Sequence, residues 1–232
     1  MKQQDTSRTT PTAATGGTTT DAADAVVLAL GQLRDELYAQ ERRRYPELEN
    51  EPEPEPIVPI APRTVDALAD RYDLPKVYRA FLLALGRQGL ALLPGPFQEL
   101  VVYAAPELEG AQVGFRGARP GDDSFVAPHG WRRAWIVIAF DNGDPYFFDT
   151  TKVTPNGECA VWTVMHGTGN WEPRLASSSL GQFLQILRAW ARIVMPPYDP
   201  ENPDEPLDDA HLRRLTSEIT QIDAAVTRHW TI

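Results

Sequence analysis

One cysteine, three methionines and four histidines are spread over 232 residues, and these shortages exclude several classes of protein. With Cys159 alone, no disulfide forms within the chain, so a reducing, cytoplasmic setting is expected. His129, His166, His211 and His229 lie far apart, none with a second ligand at metal spacing, so no metal site is expected. No apolar run approaches the roughly 20 residues that cross a bilayer, and the first twenty residues lack the apolar centre of a secretory signal. No membrane contact is expected. The dinucleotide-binding and Walker glycine patterns, the Gly-x-Ser-x-Gly elbow and His-Glu-x-x-His are all missing, so neither a cofactor nor one of the common catalytic classes is expected.

Basic charge is also short, with 22 Lys and Arg against 32 Asp and Glu, a net charge of −10. The surplus is local. Five glutamates fall between residues 45 and 56, and six acids fall between 198 and 210, with no basic residue in either stretch. Without those eleven charges the rest of the chain carries +1. Both stretches are Pro-rich, as in Glu51-Pro52-Glu53-Pro54-Glu55-Pro56, which favours extended, solvated chain and builds no core. They read as acidic linkers over 46–61 and 196–206. Nucleic-acid binding needs a concentrated basic footprint, and none is present, so no direct nucleic-acid contact is expected.

What is present centres on Trp135-Ile136-Val137-Ile138-Ala139-Phe140, then Asp141-Asn142-Gly143-Asp144-Pro145, then Tyr146-Phe147-Phe148-Asp149. Two β-branched and aromatic runs around Asn-Gly predict a hairpin, with pairing restarting after Pro145, which has no N–H to donate. Cys159–Met165, after the turn Pro155-Asn156-Gly157, predicts a third strand. Ser177, Ser178 and Ser179 offer N-cap hydroxyls to a helix from Leu180, whose Phe183, Leu184, Leu187, Trp190, Ala191 and Val194 form a broad face suited to covering a sheet.

Around this centre, residues 1–20 are polar and expected to be disordered. Ala23, Val26, Leu30, Leu33 and Leu37 stripe a helix over 21–45, which is expected to pack on the main domain. Thr64 is expected to cap a helix bearing Val65, Leu68, Ala69 and Tyr72. Pro75 opens the next, with Tyr78, Phe81, Leu82 and Leu85 inward and Gly86 and Gly89 as the stop. Leu100–Tyr103 and, more weakly, Gln112–Arg116 read as strands. A last helix from Leu207 carries Leu212, Leu215, Ile219, Ile222 and Val226 along one side.

Few constellations invite chemistry. Cys159, His166 and Asp149 can be written as a catalytic set, but a cysteine inside a strand is more often a small buried hydrophobe, and nothing lowers its pKa. Asp141, Asp144 and Asp149 lack calcium-loop spacing and are explained as turn residues. Gly167-Thr168-Gly169-Asn170 lacks the Lys-Ser/Thr of a phosphate loop. The remaining candidates lie on segments flanking the sheet: Trp131 and Arg133 before the first central strand, Trp171 and Arg174 before the domain helix. Trp and Arg there are residue types enriched at binding hot spots, and these four are the candidate partner-binding residues.

The signatures taken in order resemble the SUKH superfamily. Leu74-Pro75-x-x-Tyr78-x-x-Phe81-Leu82 with the Gly86–Gly89 break is similar to its first motif, although Gln88 stands where Asn commonly precedes the glycine. Ile136–Phe140, Gly143-Asp144 and Tyr146–Asp149 are similar to the second, and Val161–His166, Ser177–Ser179 and Phe183-Leu184 to the third. The resemblance implies an α+β domain over 62–195 with a central, mostly antiparallel sheet covered by helices. Extra amphipathic helices over 21–45 and 207–232 flank it. It also implies a protein without catalysis: an immunity protein that neutralises a cognate toxin domain, such as a basic nuclease or deaminase, by stoichiometric binding. A scaffolding or ligand-sensing module is the alternative, and a Cys159-dependent hydrolase is the least favoured reading.

Overall fold

A computed structural model describes residues 19–45, 56–95, 98–121, 130–165, 171–194, 208–226 and 230. The tail to residue 18, most of both acidic connectors, His129, His166, His229 and the Gly167–Asn170 segment lie outside the described residues.

The hairpin forms as its sequence dictates. Asp141 and Asp144 face each other across Asn142 and Gly143, whose φ angles are 44° and 106°. Two successive positive φ values match the twist of a two-residue hairpin, and Asn and Gly accept them at least cost. Pro145 lies within the strand, opposite Phe140, contrary to the expected restart after it. Paired residues alternate between hydrogen-bonded and non-bonded positions. With Asp141 and Asp144 closing the turn, Pro145 falls in a non-bonded pair, and the register with the next strand starts at Tyr146. Its missing N–H therefore costs the ladder little.

The sheet is a six-stranded antiparallel meander in chain order: β1 (Leu90–Gly95), β2 (Gln98–Val102), β3 (Trp135–Asp141), β4 (Asp144–Asp149), β5 (Val161–Thr163) and β6 (Arg174–Ser177). β1 and β6, both at the edges, were not expected from the sequence. Gln112–Arg116 does not form a strand. These residues turn back after a short helix because the buried Gln112 side chain, rather than the backbone of this segment, bonds to β3.

Helices α1 (Thr19–Arg44), α2 (Pro62–Tyr72), α3 (Lys76–Leu85), α4 (Leu108–Ala111), α5 (Leu180–Val194) and α6 (Asp209–Ile222) complete the α+β fold. α2 begins two residues before Thr64, with Pro62 at its first position, where no N–H is needed. Gly86 ends α3 with φ 81° and donates its N–H to Leu82. A Cβ at Gly86 would lie 2.5 Å from the Val58 carbonyl oxygen, so only glycine lets the 57–58 segment cross here. Ser179 caps α5, accepting the Gln182 N–H at 3.2 Å.

Alternation divides the side chains of β3 between two faces, and a β-bulge keeps Ala139 on the same face as Ile138. Val137 opposes Phe147 and Ala139 opposes Tyr146, leaving one extra residue on β3. Ile136, Ile138, Ala139, Tyr146 and Phe148 therefore join the large core under the helices, while Trp135, Val137 and Phe147 enter a second cluster on the opposite face. Both flanking helices contribute to the large core. Val26, Ala29, Leu30 and Leu33 of α1 and Leu215 and Ile219 of α6 are buried, and both helices lie against α5. Ion pairs reinforce this layer, Arg188 reaching Glu36 of α1 and Arg192 reaching Glu218 of α6.

α6 stops at Ile222, short of the expected reach to the C-terminal residues. Asp223 accepts the Ser178 N–H at 2.6 Å and the Ala225 N–H at 3.1 Å, which turns the chain out of the helix. Trp230 donates its indole N–H to the Ala176 carbonyl at 2.9 Å, which sets this side chain beside edge strand β6.

Candidate partner-binding face

The second face of the sheet is built from indoles. Trp135 and Phe147 project from β3 and β4 with ring centroids 4.7 Å apart, and Trp131, from the segment entering β3, packs edge-on against Trp135 at 5.2 Å. Phe115, from the turn after α4, lies 4.6 Å from Trp131, and Trp171, just before β6, lies 5.9 Å from it. Trp162 of β5 packs at the margin. Four of the six tryptophans of the chain thus share this face. Edge-to-face packing matches the positive ring edge of one aromatic to the negative face of the next.

Electrostatics at this face centre on Asp149, which is 3 % exposed at the end of β4. It accepts the Trp135 indole N–H at 3.3 Å and the Thr151 N–H at 3.0 Å, capping the 3₁₀ turn over 150–152. Lys152 Nζ stands 4.0 Å from Oδ2, the oxygen that accepts the Trp135 indole, and 5.1 Å from the Trp162 ring centroid. The Arg132 guanidinium lies 5.4 Å from the Trp135 ring centroid. Two cations are thereby held over two indoles of the same face, a favourable arrangement for each.

The four candidate residues fall into different settings. Trp131 is buried, 7 % exposed, and its indole N–H finds no acceptor among the described residues. Trp171 is half-buried against it, and Arg133 is exposed on the segment that carries Trp131. Arg174 is exposed on β6, its guanidinium 2.9 Å from the Met165 sulfur. Trp131 and Trp171 are therefore brought together, with Trp131 beneath. Phe115, Trp135, Trp162 and Lys152 also belong to this face, and the sequence reading did not single them out. Alternation along β3 to β5 places Trp135 and Trp162 away from the helices, and it is the signal that points to them.

Other sites considered in the sequence look different in three dimensions. Cys159 is buried in the large core, and desolvation, with the nearby Glu158 and Asp149 charges, pushes its thiol up to about 12. A thiol in that state stays protonated at neutral pH. Asp149 is committed to Trp135 and Thr151. Asp141 and Asp144 meet only as turn residues, and the Asp141 carboxyl is pushed above the ordinary aspartate range by burial and then by Asp144. Among the described residues no group of three His, Cys, Asp or Glu side chains could hold a metal ion, and no helix is long and apolar enough to cross a membrane. His211 is taken up at the start of α6, its Nδ1 lying 2.7 Å from Asp208.

Residues 60–186, more than half of the chain, match the model of the SMI1 / KNR4 family (SUKH-1). Helices α1 and α6 lie outside the match. No curated protein and no solved structure matches the chain significantly.

Proposed function

The chain belongs to the SMI1 / KNR4 family (SUKH-1), and from that premise we propose that it is a cytoplasmic, non-catalytic binding protein, an immunity protein that neutralises a cognate toxin domain by stoichiometric occlusion. The observation that carries this reading is the aromatic face. Phe115, Trp162 and Trp171 stay half-exposed on a side of the sheet where α4 is the one helix among the described residues, and Arg132, Arg133 and Arg174 stand exposed around them. Half-buried tryptophan beside arginine is the composition of an interface centre. In this proposal Trp171, Arg133 and Arg174 touch the partner, while Trp131 supports Trp171 from below. The binding domain spans 62–195, with the flanking helices as additions to it.

The alternative, a scaffold whose outer helices capture partners, loses support because the apolar stripe of α1 is spent on α3 and α5 and that of α6 on α5.

The test is co-expression with the toxin domain encoded beside the gene. Growth should be restored and a one-to-one complex recovered, and Trp171→Ala should weaken both. A toxin that kills equally well in the presence of the folded protein would end this reading.

A further inference from the structure

We propose that the aromatic face receives an acidic patch of its protein partner, with carboxylates seated at Arg132 and Lys152. The inference rests on the preceding reading only in taking the occupant to be a protein, and it adds the chemistry of that protein's surface.

The argument begins with a local inversion of charge. The chain as a whole is acidic, yet among the described residues the exposed ionised side chains of 130–133, 150–152 and 171–174 are Arg132, Arg133, Lys152 and Arg174, against one exposed acid, Glu172. Asp149 lies beneath them, buried, with its oxygens engaged by Trp135, Thr151 and Lys152. Acids toward α4 are matched within the fold: Glu109 pairs with Arg71 at 3.0 Å, and Glu107 accepts the Ala104 N–H at 2.8 Å. Two exposed cations, Arg132 and Lys152, against one buried carboxylate leave positive charge facing outward.

Those two cations are also pre-positioned. Arg132 rests over Trp135 and Lys152 over Trp162, and the two indoles are tied through Asp149, which takes the Trp135 N–H and faces Lys152. Long side chains already held on rings lose less rotamer entropy when a partner binds them. Beside them, the half-exposed Trp162 and Trp171 supply apolar area for the uncharged part of the contact. Complementary charge at such a rim governs partner choice and association rate.

Single-stranded nucleic acid also favours aromatic residues with basic neighbours, but it needs open ring faces for its bases. Here Trp131, Trp135, Phe147 and Phe115 pack on one another, and Lys152 occupies a face of Trp162. An acidic protein surface fits better.

The experiment titrates the full-length protein, followed by its tryptophan emission, with a Glu-Gly repeat peptide, a Lys-Gly repeat peptide and a single-stranded oligonucleotide. The Glu-Gly peptide is expected to bind and to release as salt rises. Arg132→Gln with Lys152→Gln should weaken it by about tenfold, and Arg132→Glu with Lys152→Glu should abolish it. Thermal melting checks that both variants fold. Lack of binding of the Glu-Gly peptide at millimolar concentration, equal binding of the Lys-Gly peptide, tighter binding of the oligonucleotide, or full binding by the folded Glu variant would each overturn the proposal. The two readings separate in the toxin assay: rescue unaffected by the Glu variant removes this inference and leaves the immunity reading, whereas peptide binding without rescue does the reverse.

Discussion

Gln112 completes the hydrogen bonding of Val137 from outside the sheet. Its Nε2 donates to the Val137 carbonyl at 2.9 Å, and its Oε1 accepts the Val137 N–H at 3.0 Å. β2 leaves β3 after Tyr103 donates to Ile138 at 3.0 Å. One residue further on, the side-chain amide takes the place of the departed strand, with the same donor and acceptor pattern as a peptide group. Nε2 also donates to Leu108 at 3.0 Å, so the amide ties α4 to the strand beside the aromatic face.

Gln112→Leu should therefore be among the most damaging substitutions outside the apolar core. It leaves a buried N–H and a buried carbonyl of Val137 without partners, at about 1–3 kcal/mol for each. Urea unfolding should show a lower midpoint with an unchanged slope. A loss below about 0.5 kcal/mol would mean that water replaces the amide without cost.

Gly86→Ala and Gly110→Ala should separate cleanly. At Gly86 the backbone has φ 81° and the new Cβ meets Val58, so a loss of about 1–3 kcal/mol is expected. At Gly110, in α4, nothing lies within 4 Å of the new Cβ, and alanine should be neutral or stabilising by about 0.5–1 kcal/mol. Equal effects in thermal melts would contradict this account of Gly86.

Tyr78 is fully buried, stacked on Phe81 at 5.5 Å and edge-on to Phe148 at 4.9 Å, and its hydroxyl has no partner among the described residues. Tyr78→Phe keeps the rings and removes an unsatisfied polar group, so stability should be unchanged or raised by about 1 kcal/mol. Destabilisation of that size would reveal a partner for the hydroxyl.

Asp141 should make stability depend on pH. Burial, then Asp144, raise its carboxyl above the ordinary aspartate range, so the native state holds this proton more tightly than the unfolded chain. The resulting penalty is absent below the ordinary value, grows as pH rises toward the raised one, and is complete above it. Asp141→Asn keeps the shape without the charge, and it should melt higher than the parent at neutral pH, with the gap closing in acid. A gap that stays constant with pH would assign the effect to something other than ionisation.

The family signature was legible because it is a packing signature. Leu74, Tyr78, Phe81 and Leu82 recur at helical spacing and are buried, Pro75 caps α3, and Asp149 ties Trp135 to the turn after β4. The candidate site was less legible. Trp131, a candidate partner-binding residue in the sequence, lies under Trp171, whereas Trp162, read only as part of a strand, and Lys152, not singled out at all, stand at the rim. Burial of an aromatic depends on what crosses above it, and here the covering residues come from Phe115 and Trp171, remote in sequence.

By itself the sequence determined the local pieces: the Asn142-Gly143 turn, the apolar stripes of α1, α3, α5 and α6, the Ser179 cap and the glycine at position 86. Each follows from φ preferences and from periodicity within one segment. Tertiary structure decided what no single segment contains. The bulge at Ile138 kept Ala139 on the helix side of β3, a glutamine amide stood in for a strand at Val137, and the outer helices spent their apolar faces on α3 and α5. The edge strands β1 and β6 were settled in the same way, because a four- to six-residue strand holding Pro94 and Gly95, or Arg174 and Ser177, gains its ladder only from a neighbour already in place.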